Sequence, residues 1–258
     1  MDTYDKKYLV EVIFGKKTDT QDITGKVIYE REISDEEMKE IVLSDFSVLR
    51  EAIEKIKQSG SQVPPMYSAI KIDGTPLYKL ARQGLEIERK PRNIKIYNID
   101  IKEINTADKL SAKLDIYCSK GTYIRTICDD LGEMTGYYGY AKSLCRTACG
   151  PFRIEDSISL QELEDLITNS SDPDELIKSC SSIVDIPYAL SEYESIVLSE
   201  EYARRLIQGQ KVRVENKIEG AYPLCVYDDK NNWIGIARQT IEHGIIKAER
   251  IFADVQNY

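Results

Sequence analysis

The chain has 258 residues, of which 42% are hydrophobic and 31% are charged, and its formal net charge at pH 7 is −9. No apolar run approaches the roughly 20 residues that a membrane-spanning helix needs. The acidic start, MDTYDKKYLVEVIFG, lacks the basic and apolar regions of a signal peptide. Six cysteines without a CxxC pair, together with a single histidine, supply few zinc ligands. We therefore expect a soluble, cytoplasmic protein with reduced thiols, no metal and no membrane partner.

The negative charge is unevenly distributed along the chain. Between Ile154 and Glu201, thirteen acidic residues face Lys178 alone, so this stretch carries a net −12 and the rest of the chain sums to +3. From Pro64 to Lys95, seven basic residues face three acidic ones, a net +4. A basic patch can steer RNA to an otherwise acidic protein, although an ordinary solvated surface gives the same pattern.

The N-terminal half alternates short strands and helices. Alternating polar and apolar residues indicate the strands. The Ser34 and Glu37 capping box and terminal glycines indicate the helices. The expected elements are, in order, a strand at Lys6–Phe14, a polar loop at Gly15–Gly25, a strand at Lys26–Arg31, helices from Ser34 to Leu43 and from Val48 to Gln58, an extended segment at Tyr67–Ile72, a short helix ending at Gly84, and neighbouring strands at Ile94–Ile104 and Leu114–Cys118.

A strand, a glycine turn and a helix then follow one another. The helix is expected over Thr122–Thr135, with Arg125, Asp129 and Glu133 on an exposed face. Its N-terminus brings Tyr123 and Arg125 beside free backbone N–H groups, which can hold a phosphate or orient a carboxylate. Arg125 offers a planar fork for such a group; alternatively, it is a surface residue paired with Asp129.

The C-terminal part of the chain differs in character. After Pro151 the sequence is acidic and helical, with turn signals at Ser170–Pro173, and a domain change is expected near Ile186. One short helix is expected over Leu198–Gly209. Three short strands follow at Ala221–Asp228, Trp233–Arg238 and Ile245–Phe252. We expect two domains, residues 1–185 and 186–258.

Several motifs of this chain share one resemblance. GTYIRT followed by DDLG, and then LCRTACGPF, resemble GTYIRTLxDDLG and LRRTxxGPF of the TruB family of tRNA pseudouridine synthases. KKYLVEVIFGKKTDTQDITGKV and QVPPMYSAIKIDGTPLYKLARQGLEIERKPR also follow family patterns, in order, between Lys6 and about Phe152. The segment from about Leu198 resembles a PUA-like module. The resemblance implies an α+β fold with a mixed, largely antiparallel sheet flanked by helices, and a small PUA-like β module at 186–258.

The resemblance also implies roles for individual residues. Tyr8 matches the tyrosine that packs on the target base, and Arg125 matches the arginine that pairs with the catalytic aspartate. Tyr123 and Leu144 match residues that line the uracil pocket, although Tyr8 and Leu144 also suit plain core positions. An insertion at about residues 61–92 corresponds to the family's RNA-gripping segment. The basic residues expected to contact RNA there are Lys71, Lys79, Arg82 and Arg92.

The implied reaction converts the T-loop uridine at position 55 of tRNA to pseudouridine. It needs a carboxylate nucleophile and a base flipped out of its loop, but no cofactor or metal. The implied partner is therefore the T-arm of tRNA. A monomer is expected.

The chain departs from the family pattern at the catalytic motif. Family members carry GHxGTLDPxATG upstream of the KxY strand, with the nucleophilic aspartate and a histidine that helps to evict the base. Nothing in this sequence matches it, and Asp2, Asp5 and the only histidine, His243, stand in the wrong context. Arg125 is therefore expected to lack a carboxylate partner, a costly state for a buried charge. We expect the chain alone to be inactive; the open alternatives are a non-catalytic tRNA-binding protein and half of a split enzyme.

Overall fold

The computed structural model describes residues 3–170, 172, 176, 180–214 and 223–253. The chain divides into two compact units, residues 1–155 and 156–258. This division falls 30 residues before the domain boundary expected at residues 185/186. The expected boundary marks the start of the C-terminal module, and it stays a prediction. The turn expected at Ser170–Pro173 and the start of the strand expected at Ala221 lie partly outside the described residues.

The first unit alternates strands and helices, as expected. Its elements are, in chain order, β1 (Lys6–Phe14), β2 (Lys16–Thr18), β3 (Val27–Glu30), α1 (Asp35–Leu43), α2 (Ser47–Gln58), β4 (Ser61–Gln62), β5 (Lys71–Ile72), β6 (Thr75–Pro76), α3 (Leu77–Arg82), β7 (Arg92–Asn93), β8 (Ile96–Asn105), β9 (Ser111–Cys118), α4 (Ile124–Thr135), β10 (Gly139–Cys149) and β11 (Phe152–Arg153). The capping box of Ser34 and Glu37 is present at the start of α1.

Five strands form the main sheet of this unit in the order β11-β10-β1-β9-β8. Every pairing among them is antiparallel. The first strand of the chain is thus the central one, and Tyr8 lies opposite Ile116 on β9 and Arg146 on β10.

One face of the sheet forms the core of the unit. Val10 and Val12 of β1, and Leu114 and Ile116 of β9, share this face because alternate residues of a strand point to the same side. All four are fully buried and cluster with the apolar sides of α2 and α4. Burial of each such side chain stabilises the fold by about 1.5–3 kcal/mol, so this packing fixes α4 against the sheet.

Glycines bring α4 close to β10. A Cβ atom added at Gly132 would overlap the backbone nitrogen of Gly139, so a larger residue cannot fit there. Gly136 then ends the helix with a left-handed backbone, φ 76°, as the sequence predicts.

Two details differ from the sequence expectations. The polar loop after Gly15 contains a short strand, β2, which pairs with β3. Asp129 is only 7% exposed, so its assignment to an exposed helix face is wrong. The physical reason is that Lys17 and Gln21, from β2 and the loop after it, cover this side of α4.

The second unit contains a five-stranded sheet of its own. Its described elements are α5 (Leu160–Asn169), α6 (Ile186–Ala189), β12 (Ser195–Leu198), α7 (Glu200–Ile207), β13 (Val212–Arg213), β14 (Leu224–Asp228), β15 (Trp233–Gln239) and β16 (Ile245–Ile251). The strand order is β12-β14-β15-β16-β13, and β12 with β14 is the parallel pair. Leu206, Val226, Ile234 and Ile246 are fully buried in its core. The α+β class with largely antiparallel sheets is confirmed.

None of the helices within the described residues is long and apolar enough to cross a membrane.

Candidate active site

The loop between β2 and β3 is organised around Asp22. One carboxylate oxygen, Oδ1, accepts hydrogen bonds from Thr20 Oγ1 at 2.9 Å, Thr24 Oγ1 at 2.6 Å and the Thr24 backbone N–H at 3.0 Å. A Cβ at Gly25 would collide with the Thr20 hydroxyl and the Asp19 carboxylate, so the loop closes tightly on itself. Short Thr and Asp side chains bond readily to neighbouring backbone and hydroxyl groups, and here they fix the direction of the second Asp22 oxygen.

That second oxygen is paired with Arg125. Asp22 Oδ2 lies 2.6 Å from Arg125 Nη1, and the two side chains are 21% and 29% exposed. Arg125 Nη2 also donates to the Tyr67 carbonyl oxygen at 3.0 Å. The expectation that Arg125 lacks a carboxylate partner is therefore wrong. Its suggested pairing with Asp129 is also wrong, because Asp129 instead lies near Lys17 and Gln21.

The pKa of the Asp22 carboxyl is lowered from its ordinary value. Burial by itself would raise it, but hydrogen bonds from Thr24, Arg125 and Thr20 to the ionised form outweigh that effect. Asp22 is consequently an ionised anchor for the Arg125 guanidinium at neutral pH.

Gln21 fastens the same loop to α4 a second time. Its Oε1 accepts from Thr126 Oγ1 at 2.9 Å, and its Nε2 donates to Asp129 Oδ2 at 3.0 Å. Gln21 has a left-handed backbone, φ 63°, which is unfavourable for a residue other than glycine. The Ala141 backbone forms a hydrogen bond on each side of Asp22. Its N–H donates to the Gln21 carbonyl oxygen at 3.0 Å, and its carbonyl oxygen accepts from the Ile23 N–H at 3.0 Å. The loop is thus held between α4 and β10.

Further along α4, a lysine joins the acidic residues. Lys17 Nζ lies 2.6 Å from Glu133 Oε1 and 3.3 Å from Asp129 Oδ1. Burial, followed by the neighbouring Asp129 carboxylate, raises the pKa of Asp130 to about 6. The DD pair of the DDLG motif therefore lies within the fold next to the loop, and not on a solvated helix face.

Tyr123 caps the start of α4 without a side-chain hydrogen bond. Its backbone N–H and carbonyl are both bonded to the side-chain amide of Gln62, at 2.8 and 3.1 Å. Gln62 is 7% exposed and belongs to the 61–92 insertion. Gln62 and the Tyr67 carbonyl thus connect the beginning of that insertion to the turn that carries Tyr123 and Arg125.

Tyr8 and Leu144 lie on neighbouring strands, β1 and β10. Tyr8 is half-buried against the edge of the core, and burial raises the pKa of its hydroxyl, while the Arg146 guanidinium acts in the opposite direction. Leu144, opposite Val10, is 44% exposed. A leucine in a packed core would be covered, so the core-packing interpretation does not suit Leu144.

The four basic residues expected to contact RNA are exposed along the insertion. Lys71 is on β5, Lys79 and Arg82 are on α3, and Arg92 is on β7. None of the four forms an ion pair within the part of the chain that the structure describes. Arg82 lies over the Tyr78 ring at 5.5 Å. These cations are therefore available to a phosphate backbone.

A separate cleft of about 530 Å³ opens at the other end of β1. It is lined by residues of both charge signs, including Lys16, Glu30, Arg31 and Asp108, and by none of the residues predicted for the site. Among the described residues, no group of His, Cys, Asp and Glu could hold a metal ion.

Comparison with solved structures defines the class of fold. A Cbf5-Nop10-Gar1 complex contains a chain that matches with a TM-score of 0.64 at 16% identity, over 98% of this chain and 68% of that chain. An H/ACA RNP bound to a substrate RNA containing 2'-deoxyuridine gives the same TM-score at 14% identity, over 99% and 68%. At these identities the likeness shows the fold, an α+β pseudouridine-synthase-type domain with a PUA-like module.

Sequence comparison defines the family. The TruB family pseudouridylate synthase N-terminal domain matches residues 1–124, the tRNA pseudouridylate synthase B C-terminal domain matches 125–186, and the pseudouridine synthase II TruB C-terminal domain matches 195–252. A tRNA pseudouridine synthase B of Alkaliphilus oremlandii (strain OhILAs) is 36% identical over 87% of this chain and 70% of its own length. One of Shewanella sp. (strain MR-4) is 34% identical over 96% and 74%. The chain belongs to the TruB family of pseudouridylate synthases, which are isomerases.

Sequence reasoning missed Asp22, Gln21 and Gln62. The first two stand in the TDTQDITG stretch, whose dense Thr, Asp and Gly content signals a self-bonded loop. Nothing in the order of residues indicates that this loop meets α4.

Proposed function

We propose that this protein acts in tRNA pseudouridine synthesis, on the T-loop uridine at position 55. The observation that carries the proposal is the ion pair between Asp22 and Arg125, which holds the arginine of the GTYIRT motif at the start of α4. The Tyr67 carbonyl joins that arginine to the basic insertion. Relatives that are named tRNA pseudouridine synthase B support the same activity.

Each residue has a chemical role in this proposal. The half-buried Tyr8 stacks on the flipped uracil and offsets part of the stacking lost from the loop. Tyr123 and the exposed Leu144 line the pocket, and Arg125 orients the nucleophilic carboxylate. The T-arm backbone is held by Lys71, Lys79, Arg82 and Arg92, and the module at 186–258 adds RNA contacts. The substrate implies a cytoplasmic protein, which we propose to be a monomer.

The reaction breaks the N-glycosidic bond at N1, turns the uracil, and joins C5 to the same sugar carbon. C5 loses a proton and N1 gains one, so no cofactor or external reductant is needed. A carboxylate nucleophile is needed, however. Asp22 is poorly suited, because it does not stand in a GHxGTLDP motif and its Oδ1 already accepts three hydrogen bonds within the loop. We propose that the nucleophile lies outside these 258 residues and that they do not catalyse the reaction by themselves.

The test measures pseudouridine formation on an unmodified tRNA transcript, with and without a separately supplied segment bearing the GHxGTLDP motif. The proposal predicts no product from the chain alone and product with the segment. Loss of that product in Arg125→Lys would support the role of the guanidinium fork, because lysine keeps the charge but not the planar geometry.

Two results would contradict parts of the proposal. Product from the chain alone would refute the missing-nucleophile argument, and Asp22→Asn would then show whether Asp22 is the nucleophile. Binding of tRNA without product under either condition would favour a non-catalytic RNA-binding protein. That second function is favoured by the exposed cations of the insertion, which could hold RNA without any catalytic group.

A further inference from the structure

The main sheet of the first unit has a second face, opposite to the core. Along β1, Lys7 lies opposite Tyr117 on β9, whereas the next residue, Tyr8, lies opposite the fully buried Ile116. Neighbouring residues of a strand point to opposite faces. Lys7 and Tyr117 therefore lie on the face of the sheet opposite to Tyr8.

Four side chains form a continuous row on this second face. Lys95 Nζ lies 4.9 Å from the centre of the Tyr97 ring, the Tyr97 and Tyr117 rings are 4.6 Å apart, and Lys7 Nζ lies 5.4 Å from the Tyr117 ring. We call Lys95, Tyr97, Tyr117 and Lys7 the tyrosine row. It crosses from the start of β8 over β9 to β1, and Tyr97 is 37% exposed.

The lysines of the tyrosine row differ from others on the main sheet. Lys102 lies 3.5 Å from Asp115, Lys113 lies 2.6 Å from Glu103, and Lys142 lies 3.0 Å from Glu11. Within the described residues, neither Lys7 nor Lys95 has an ion pair. The acidic Asp5 acts on the Tyr97 hydroxyl, where its hydrogen bond is the main cause of the raised pKa of that tyrosine. The positive charge of the two lysines is thus directed at the rings and the solvent.

An exposed ring, Tyr97, and a partly buried one, Tyr117, flanked by cations without an ion pair, suit unpaired RNA. Nucleobases pack against tyrosine rings, while lysines contact the adjoining phosphates. We propose that the tyrosine row binds an unpaired segment of the tRNA other than the loop that carries the target uridine. This inference rests on the proposed function. The second contact lies elsewhere on the RNA because Tyr8 and Lys7 point to opposite faces of one strand.

A purely structural role is the competing explanation, because cross-strand aromatic and cation–ring pairs stabilise a sheet. The experiment therefore compares two double variants with the same loss of charge. Lys7→Ala with Lys95→Ala removes the cations of the tyrosine row and leaves its rings. Lys102→Ala with Lys113→Ala removes two ion-paired lysines as a matched control. Tyr97→Ala tests the ring separately, and thermal unfolding checks the fold of each variant.

Binding is measured with the unmodified tRNA transcript, the isolated T-arm hairpin and a single-stranded oligouridylate at several salt concentrations. We expect Lys7→Ala with Lys95→Ala to weaken binding of the transcript about tenfold and to reduce the salt slope by about 1.4–1.8, as for two phosphate contacts. Hairpin binding should change less than twofold, and the control pair should bind every RNA like the parent protein. Tyr97→Ala should weaken the transcript and the oligouridylate together.

Three outcomes would overturn the inference. The first is an equal loss on the hairpin and the transcript, which would make the row part of the target-loop site. The second is a lower melting temperature with unchanged RNA binding, which would make it structural. The third is a parent protein that binds neither the transcript nor the oligouridylate. If the parent protein binds the oligouridylate but not the transcript, the proposed function fails. Loss of oligouridylate binding in Lys7→Ala with Lys95→Ala would then still support the tyrosine row as an RNA-binding surface.

Discussion

Replacing Asp22 by asparagine tests whether its pairing with Arg125 holds the site together. The amide keeps Oδ1 as an acceptor for Thr20 and Thr24, but it turns an N–H group toward the Arg125 donor. Hydrogen bonds to charged groups contribute about 1.5–3 kcal/mol, and breaking a fully buried pair costs about 3–5 kcal/mol. Because these side chains are 21% and 29% exposed, we expect the free energy of unfolding to fall by about 2 kcal/mol.

The assay is urea unfolding followed by far-UV circular dichroism. Trp233, the only tryptophan, lies in the second unit, so its fluorescence follows that unit separately. The matched control is Asp45→Asn, which breaks an ion pair with Arg50 whose side chains are 81% and 52% exposed. Such exposed pairs contribute little, and we expect a change below about 0.5 kcal/mol.

The pH dependence gives a second reading. The folded-state pKa of Asp22 is lowered. Its contribution to the free energy of unfolding is therefore complete above the unfolded-state pKa of about 3.9, and it is lost as the pH falls through the folded-state pKa. The difference between parent and variant should therefore shrink in acid. A loss no larger than that of Asp45→Asn, or the same loss in an Arg125→Ala background, would refute the assigned pairing.

Three further results are expected from unfolding measurements. Gln21→Ala should lower the free energy of unfolding by about 2 kcal/mol and Gln21→Gly by about 1 kcal/mol less, because glycine relieves the left-handed backbone; equal losses would contradict this. Asp130→Asn should raise the free energy of unfolding by about 1–2 kcal/mol at pH 8 and leave it unchanged at pH 4. The pKa of this carboxyl is raised to about 6, so it destabilises the folded state only when it is ionised; the same gain at both pH values would contradict this reason. Gly132→Ala should cost about 3 kcal/mol or prevent folding, through its overlap with Gly139, whereas a neutral effect would mean that α4 can move away from β10.

Local signals predicted most of the elements. The capping box at Ser34, the alternation over Lys6–Phe14 and the terminal Gly136 each act within a few residues, so they can be identified without knowing the fold. The strand β2 was not predicted because its residues, KKT, show no strand pattern, and β3 is the one strand it pairs with among the described residues.

The site was predictable only in part. The GTYIRT resemblance identifies Arg125, but its partner Asp22 lies 103 residues earlier. The contact between Gln62 and Tyr123 spans 61 residues. Pairings at such separations depend on how the sheet and α4 come together. The sequence therefore predicted a bare arginine, whereas the folded chain supplies it with a carboxylate.

The central position of β1 has a consequence for how the protein is made. Its partners Ser111–Cys118 and Gly139–Cys149 leave the ribosome far later than Lys6–Phe14. At about 5–20 residues per second, the strand waits on the order of ten seconds before both edges can be paired. Folding that depends on such distant pairings is slow, so during synthesis Val10 and Val12 of β1 stay without the partner strands that later bury them.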